Sequence, residues 1–109
     1  MKVNYLSNKK ELKEWADTVK LRDGHRCVIC GVTERINAHH ILPVEIEETR
    51  LWLENGISLC PKHHKFSRNF SAHNNPFVFL YWLEIARPEQ YKKIKDFVLA
   101  NYLSIFNFH

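Results

Sequence analysis

Ala38-His39-His40-Ile41-Leu42-Pro43, followed after Asn55 by Cys60-Pro61-Lys62-His63-His64-Lys65, is the stretch on which the fold turns. A histidine pair stands at each end of a segment short enough to be one strand pair and the start of a helix. Residues 33–39 alternate weakly and read as a strand ending at the first pair. Residues 56–59 read as its partner. The connection between them holds Pro43, which keeps that part to an edge or loop, and the segment around Leu51-Trp52-Leu53 reads as a helical turn. Pro61 suits the first helical position, where its missing N–H costs nothing. The helix it opens is expected to carry His63, His64, Lys65, Phe66 and Arg68 and to end before Asn74-Asn75-Pro76.

On the N-terminal side of this stretch, Cys27-Val28-Ile29-Cys30-Gly31 has the form of a zinc knuckle. The two-residue spacing with a trailing glycine lets backbone amides turn toward the sulfurs, so that both thiolates reach one ion at about 2.3 Å. Redox motifs share this spacing. The partner is Cys60-Pro61-Lys62-His63, which offers two more ligands at the same spacing after 29 intervening residues. Four ligands, Cys27, Cys30, Cys60 and His63, make a closed tetrahedral set, and a thiol redox role for the first two would leave the second pair idle.

The remaining imidazoles are not needed by that site. Adjacent residues of a strand point to opposite faces, so His39 and His40 separate: one can bind a metal while the other takes a proton from water. An unperturbed imidazole, with a pKa of about 6.5, suits that task near neutrality. Successive helical residues are about 100° apart, so His63 can complete the zinc set while His64 faces the strands. Arg68, four residues after His64, would share its face and could contact a phosphate through two parallel hydrogen bonds. Lys62 and Lys65 offer further phosphate contacts. His73 is assigned no role, since an unbroken helix would turn it away from His64.

The chain has 109 residues, a size for one domain, and three cysteines. The N-terminal residues contain no apolar run of signal-peptide length, which argues for a cytoplasmic setting and against a disulfide framework. Residues 76–86 are the most apolar stretch and fall short of the ~18–20 residues of a membrane span. The net charge of +4 and a pI near 9.1 favour polyanionic partners. Positive charge is concentrated in residues 1–35 and again in 61–75, where Lys62, Lys65 and Arg68 occur without an acid. Glu45, Glu47 and Glu48 lie between, most simply as a solvated acidic loop.

Leu12, Trp15, Ala16 and Val19 fall on one face of an amphipathic helix that Ser7 would cap and Gly24 would end. His25 lies in the turn beyond. Residues 77–83 are apolar all round, as in a buried helix. Pro88 opens another helix, with Tyr91, Ile94, Phe97, Val98 and Ile105 at helical spacing. The apolar surface of these two helices exceeds what a small core obviously needs, so a homodimer through them is a second expectation.

Taken together, the run from Arg22 to Gly31, the Ala38-His39-His40-Ile41-Leu42-Pro43 element, Asn55 and Cys60-Pro61-Lys62-His63-His64 resemble an HNH endonuclease of the ββα-metal fold over roughly residues 15–70. The resemblance implies an α+β domain spanning 1–109, with a core at about 22–72 and helical extensions over 8–23 and 76–106. It implies His39 and His64 as ligands of a catalytic divalent ion, His40 as general base, and Asn55 as the brace of the loop between the strands. It further implies DNA as substrate, with 5′-phosphate and 3′-hydroxyl products. Two departures stand out: His63 occupies a place where many relatives have Cys, and Arg68 a place where some have a further metal-binding His. With only two protein ligands evident, Mg²⁺ or Mn²⁺ is expected ahead of Ni²⁺ or Zn²⁺ at the catalytic position. The alternative is a zinc-stabilised nucleic-acid-binding module without catalysis, which would leave His39, His40, Asn55 and His64 unexplained.

Overall fold

The computed structural model describes residues 9–103. Its elements run α1 (Lys9–Arg22), β1 (Asn37–His40), a short helical turn at Leu53–Asn55, β2 (Gly56–Leu59), a single wide helical turn at Lys62–Phe66, α2 (Pro76–Ala86) and α3 (Pro88–Asn101). The fold is α+β, a two-stranded antiparallel sheet with helices around it. Ser7 and Ile105 lie outside the described residues.

The register of the sheet explains the division of labour between the two strand histidines. His40 pairs with Gly56, and His39 with Ile57. Paired residues share a face, and successive residues alternate faces. One face, bearing His40 and Gly56, meets α1. A Cβ on Gly56 would come within 2.5 Å of both the Trp15 ring and the Val19 side chain. Only glycine therefore lets α1 lie this close to β2. Trp15 and Val19 are buried against that surface, and the Trp15 indole N–H donates to the Trp52 carbonyl at 2.8 Å. The other face, bearing His39, Ile57 and Leu59, packs on Cys27, Cys60, Ala72, Phe79 and Leu83, the principal core. All four residues of β2 are buried because it is covered on both faces.

Asp23 ties the elements together at the base of α1. Its side chain is fully enclosed. It accepts hydrogen bonds from Arg22 at 2.8 and 2.9 Å, from Arg87 at 2.9 Å and from the Ser58 N–H at 2.9 Å. One carboxylate thus joins the end of α1, the middle of β2 and the α2–α3 junction. Burial opposes its ionisation, but the Arg22 guanidinium and the Ser58 contact more than offset this and hold it below its ordinary value of 3.8.

Three expectations need correction. The first strand is shorter and later than 33–39, because Arg35 takes a left-handed conformation (φ 55°) that ends any extended run before it. The helix opened by Pro61 stops at Phe66 instead of continuing to residue 73, and Ser67 is extended (ψ 127°). Arg68 is therefore not on a helical face shared with His64, and the phosphate role inferred from that spacing loses its premise. Finally, α2 is not buried all round. Phe79 and Leu83 face the core, whereas Phe77, Tyr81 and Ile85 are 76%, 64% and 78% exposed. These three lie at i, i+4, i+8 on one side of the helix, a stripe that no element among the described residues covers.

Candidate functional site

Cys27, Cys30, Cys60 and His63 converge with all ligand atoms within 4.8 Å of one another. Cys30 and Cys60 sulfurs are 3.7 Å apart, and His63 Nδ1 is 3.7 Å from the Cys27 sulfur and 3.5 Å from that of Cys60. Ligands at about 2.3 Å (S) and about 2.0–2.1 Å (N) from one tetrahedral ion stand about 3.5–3.8 Å apart. The spacing fits zinc without rearrangement. The three cysteines are free thiols, none paired in a disulfide. Gly31, with φ 82°, closes the knuckle turn, and its N–H donates to the Cys27 carbonyl at 2.8 Å. Burial would raise the Cys27 thiol, but amide hydrogen bonds from Cys60, Cys30 and Ile29 bring it below its ordinary value of 9.0. A thiol so placed is readied to lose its proton to a metal.

The second cluster is His39, His64 and His73, again with ligand nitrogens within 4.8 Å of one another. His64 Nε2 and His73 Nε2 are 3.1 Å apart. The His39 ring stands edge-on to His64 at 5.0 Å, to His73 at 5.1 Å and to Phe79 at 5.8 Å between centroids. Burial first, then mutual repulsion with His64, His73 and His40, lowers His39 to about 3. Burial, then His73 and Lys65, lowers His64 to about 4. Both imidazoles are therefore neutral near pH 7, with lone pairs available to a cation. No carboxylate belongs to either cluster among the described residues.

His73 reaches this site because the chain doubles back where a longer helix was expected. The Ser67 N–H donates to the Lys62 carbonyl, closing one wide turn, after which the Phe70 N–H donates to Ser67 Oγ. The Ala72 and His73 N–H groups then bond the carbonyls of His63 and His64 at 2.8 and 3.0 Å. These two bonds lay His73 beside His64. The signal was present in Ser67-Arg68-Asn69 and Ser71-Ala72-His73-Asn74-Asn75-Pro76, whose Ser and Asn residues favour turns over helix.

On the opposite face of β1, His40 stacks on Trp15 at 3.8 Å with planes 15° apart. Its Nε2 lies 3.0 Å from the Arg50 carbonyl. A carbonyl only accepts, so Nε2 carries the proton and Nδ1 keeps the lone pair. Burial lowers the His40 pKa from its ordinary value, against an upward pull from the Arg50 carbonyl. Asn55 is fully buried. Its Oδ1 accepts from the Leu42 N–H at 2.6 Å, and its Nδ2 donates to the carbonyls of Leu42 and Thr49, both at 3.2 Å. One side chain thus holds both arms of the loop whose Arg50 carbonyl orients His40. Lys62, Lys65 and Arg68 are exposed, and Arg68 is not among the ligands of either cluster.

Residues 27–73 match the family model described as HNH endonuclease, a span that starts at the first knuckle cysteine and ends at His73. Over this span, a little under half of the chain, the sequence is similar to an HNH endonuclease. No curated protein and no solved structure matches the chain. The matched span contains both histidine-bearing clusters, the strand pair and Asn55, while α1, α2 and α3 flank it. An HNH endonuclease domain implies nuclease-type function, and the Cys₃His set fits a structural zinc site. No helix among the described residues is long and apolar enough to cross a membrane.

Proposed function

We propose that this chain is a metal-dependent endonuclease that hydrolyses DNA phosphodiester bonds. The observation that carries the reading is the convergence of His39, His64 and His73, three neutral imidazoles outside the zinc set, within the span similar to an HNH endonuclease. Structural zinc requires none of them.

His39, His64 and His73 would hold the catalytic ion. A divalent ion there supplies charge stabilisation at the scissile phosphate and its departing oxygen. Three imidazoles with no carboxylate suit Zn²⁺, Ni²⁺ or Mn²⁺ better than Mg²⁺, which prefers oxygen ligands. The third imidazole thus reverses the preference drawn from two ligands. His40 acts as general base: with Nε2–H committed to the Arg50 carbonyl, Nδ1 accepts the proton of the attacking water. The water oxygen bonds to phosphorus as the bond to the 3′-oxygen breaks, giving 5′-phosphate and 3′-hydroxyl ends. Asn55 is a positioning residue, acting through the loop that carries Arg50. Lys62 and Lys65 contribute phosphate attraction, so affinity falls as salt rises.

The test is supercoiled plasmid incubated with Mg²⁺, Mn²⁺, Ni²⁺, Zn²⁺ or no added ion. Wild type should nick with at least one ion. His40→Ala should be slower by roughly 10²–10⁴-fold while keeping its zinc and its DNA affinity. Absence of nicking under every ion would leave a zinc-stabilised DNA-binding module.

A further inference from the structure

Of the two phenylalanines in residues 27–73, Phe70 is half-buried among other rings and Phe66 is not. Phe70 stands edge-on to His63 at 5.5 Å and to Trp82 at 6.4 Å, whereas Phe66 is 73% exposed. It ends the same helical turn that carries His64. With His64, Arg35, Ile36, Asn37 and Lys65 it lines a cleft of about 430 Å³. That volume lies within the range of roughly 300–1,000 Å³ typical of small-ligand sites. The cleft wall contains two cations and no acid. Arg35 is held there by its left-handed turn into β1, and Lys65 by the turn itself.

An exposed ring beside two cations is what sequence-tolerant single-strand sites combine: a platform for a base and charges for the phosphates beside it. A paired base in an intact duplex has both faces covered by its neighbours, so such a platform can serve only a base that has left the stack. His64 at the wall puts the candidate metal cluster next to whatever phosphate enters.

We propose that this cleft takes an unstacked nucleotide of the DNA strand next to the scissile phosphate, with Phe66 stacking on the base and Arg35 and Lys65 on the flanking phosphates. The proposal rests on the nuclease reading in taking DNA as the strand and in placing its scissile phosphate at the His39, His64 and His73 cluster; the stacking site itself does not depend on cleavage. Its consequence is a preference for unpaired, gapped or branched substrates over continuous duplex.

The experiment measures binding by fluorescence anisotropy, using the zinc-loaded full chain with no further metal added. The probes are a short oligo-dT strand, an abasic strand of equal length and a blunt duplex. Wild type should bind oligo-dT roughly five- to a hundredfold tighter than the abasic strand, the span that loss of one stacked base produces. Phe66→Ala should bind the two strands alike and leave duplex affinity unchanged, and Phe66→Trp should restore the preference. Arg35→Ala and Lys65→Ala should each reduce the salt slope on single strands by about 0.7. Equal wild-type affinity for both strands, or a base preference that survives Phe66→Ala, overturns the proposal. So does an equal loss on duplex. Failure of plasmid nicking alongside a Phe66-dependent preference would remove the nuclease reading and keep the cleft. Nicking without that preference would do the reverse.

Discussion

The two clusters are built from neighbouring residues of one turn, His63 and His64, yet they differ in almost every physical respect. The Cys27, Cys30, Cys60 and His63 set is mostly sulfur, largely buried, and spaced so that four ligands close a tetrahedron. The His39, His64 and His73 set is all nitrogen, has three members, and includes the exposed His73. Around an ion, three such ligands would leave coordination positions for water or substrate; four would not. A closed site can only hold the chain together, whereas an open one can do chemistry. What places them side by side is the rotation between successive helical residues, which sends His63 into the knuckle and His64 toward β1.

Removing one ligand from each cluster should have opposite consequences for folding and for metal binding. Cys60→Ala should abolish cooperative folding, since structural zinc contributes roughly 10 kcal/mol or more in small zinc domains. A calorimetric melting transition like that of wild type would contradict the structural role. His73→Ala, by contrast, should leave the melting transition of the zinc-loaded protein nearly in place. It should weaken binding of a second transition ion by about a hundredfold, or about 2.7 kcal/mol, within the 1.4 kcal/mol per decade relation. Titration calorimetry with Ni²⁺ would read this, and unchanged affinity would confine the open site to His39 and His64.

Smaller effects come from the support that both clusters share. Asp23→Asn should cost about 2–3 kcal/mol, less than loss of a wholly buried ion pair because Arg22 and Arg87 both reach solvent. Denaturant titration at pH 7 would measure it. The same carboxylate sets a pH dependence. Its folded pKa is depressed, so its stabilisation is complete above the unfolded value of about 3.8 and is lost as pH falls through the lower folded value. Wild type should therefore lose more stability than Asp23→Asn between pH 5 and pH 2. Parallel losses would show that the carboxylate is not responsible.

Much of this was legible along the chain. The zinc set could be read from two x-x spacings, because a tetrahedral ion demands short-range pairs whatever the rest of the fold does. The opposed aims of His39 and His40 followed from strand alternation, and the separation of His63 from His64 from helical rotation. The extent of the helix after Pro61 was not legible by periodicity: His64 and Arg68 at i, i+4 looked like a face, although Ser67 breaks the turn between them. The apolar run in α2 misled for a related reason. Hydrophobicity marks what could be buried, but only the packing of two layers decides that Phe79 and Leu83 go inside and Phe77, Tyr81 and Ile85 stay out.

By itself, then, the order of residues determined the knuckle, the strand pair and the identity of the histidines that face away from zinc. These are local matters, governed by spacing and by the fixed periods of strand and helix. Tertiary structure alone decided the membership of His73 and the convergence of Arg22, Arg87 and Ser58 on Asp23. It also decided the need for glycine at position 56. Each depends on residues far apart in the chain or on a reversal of direction, and no local period encodes a distance across space.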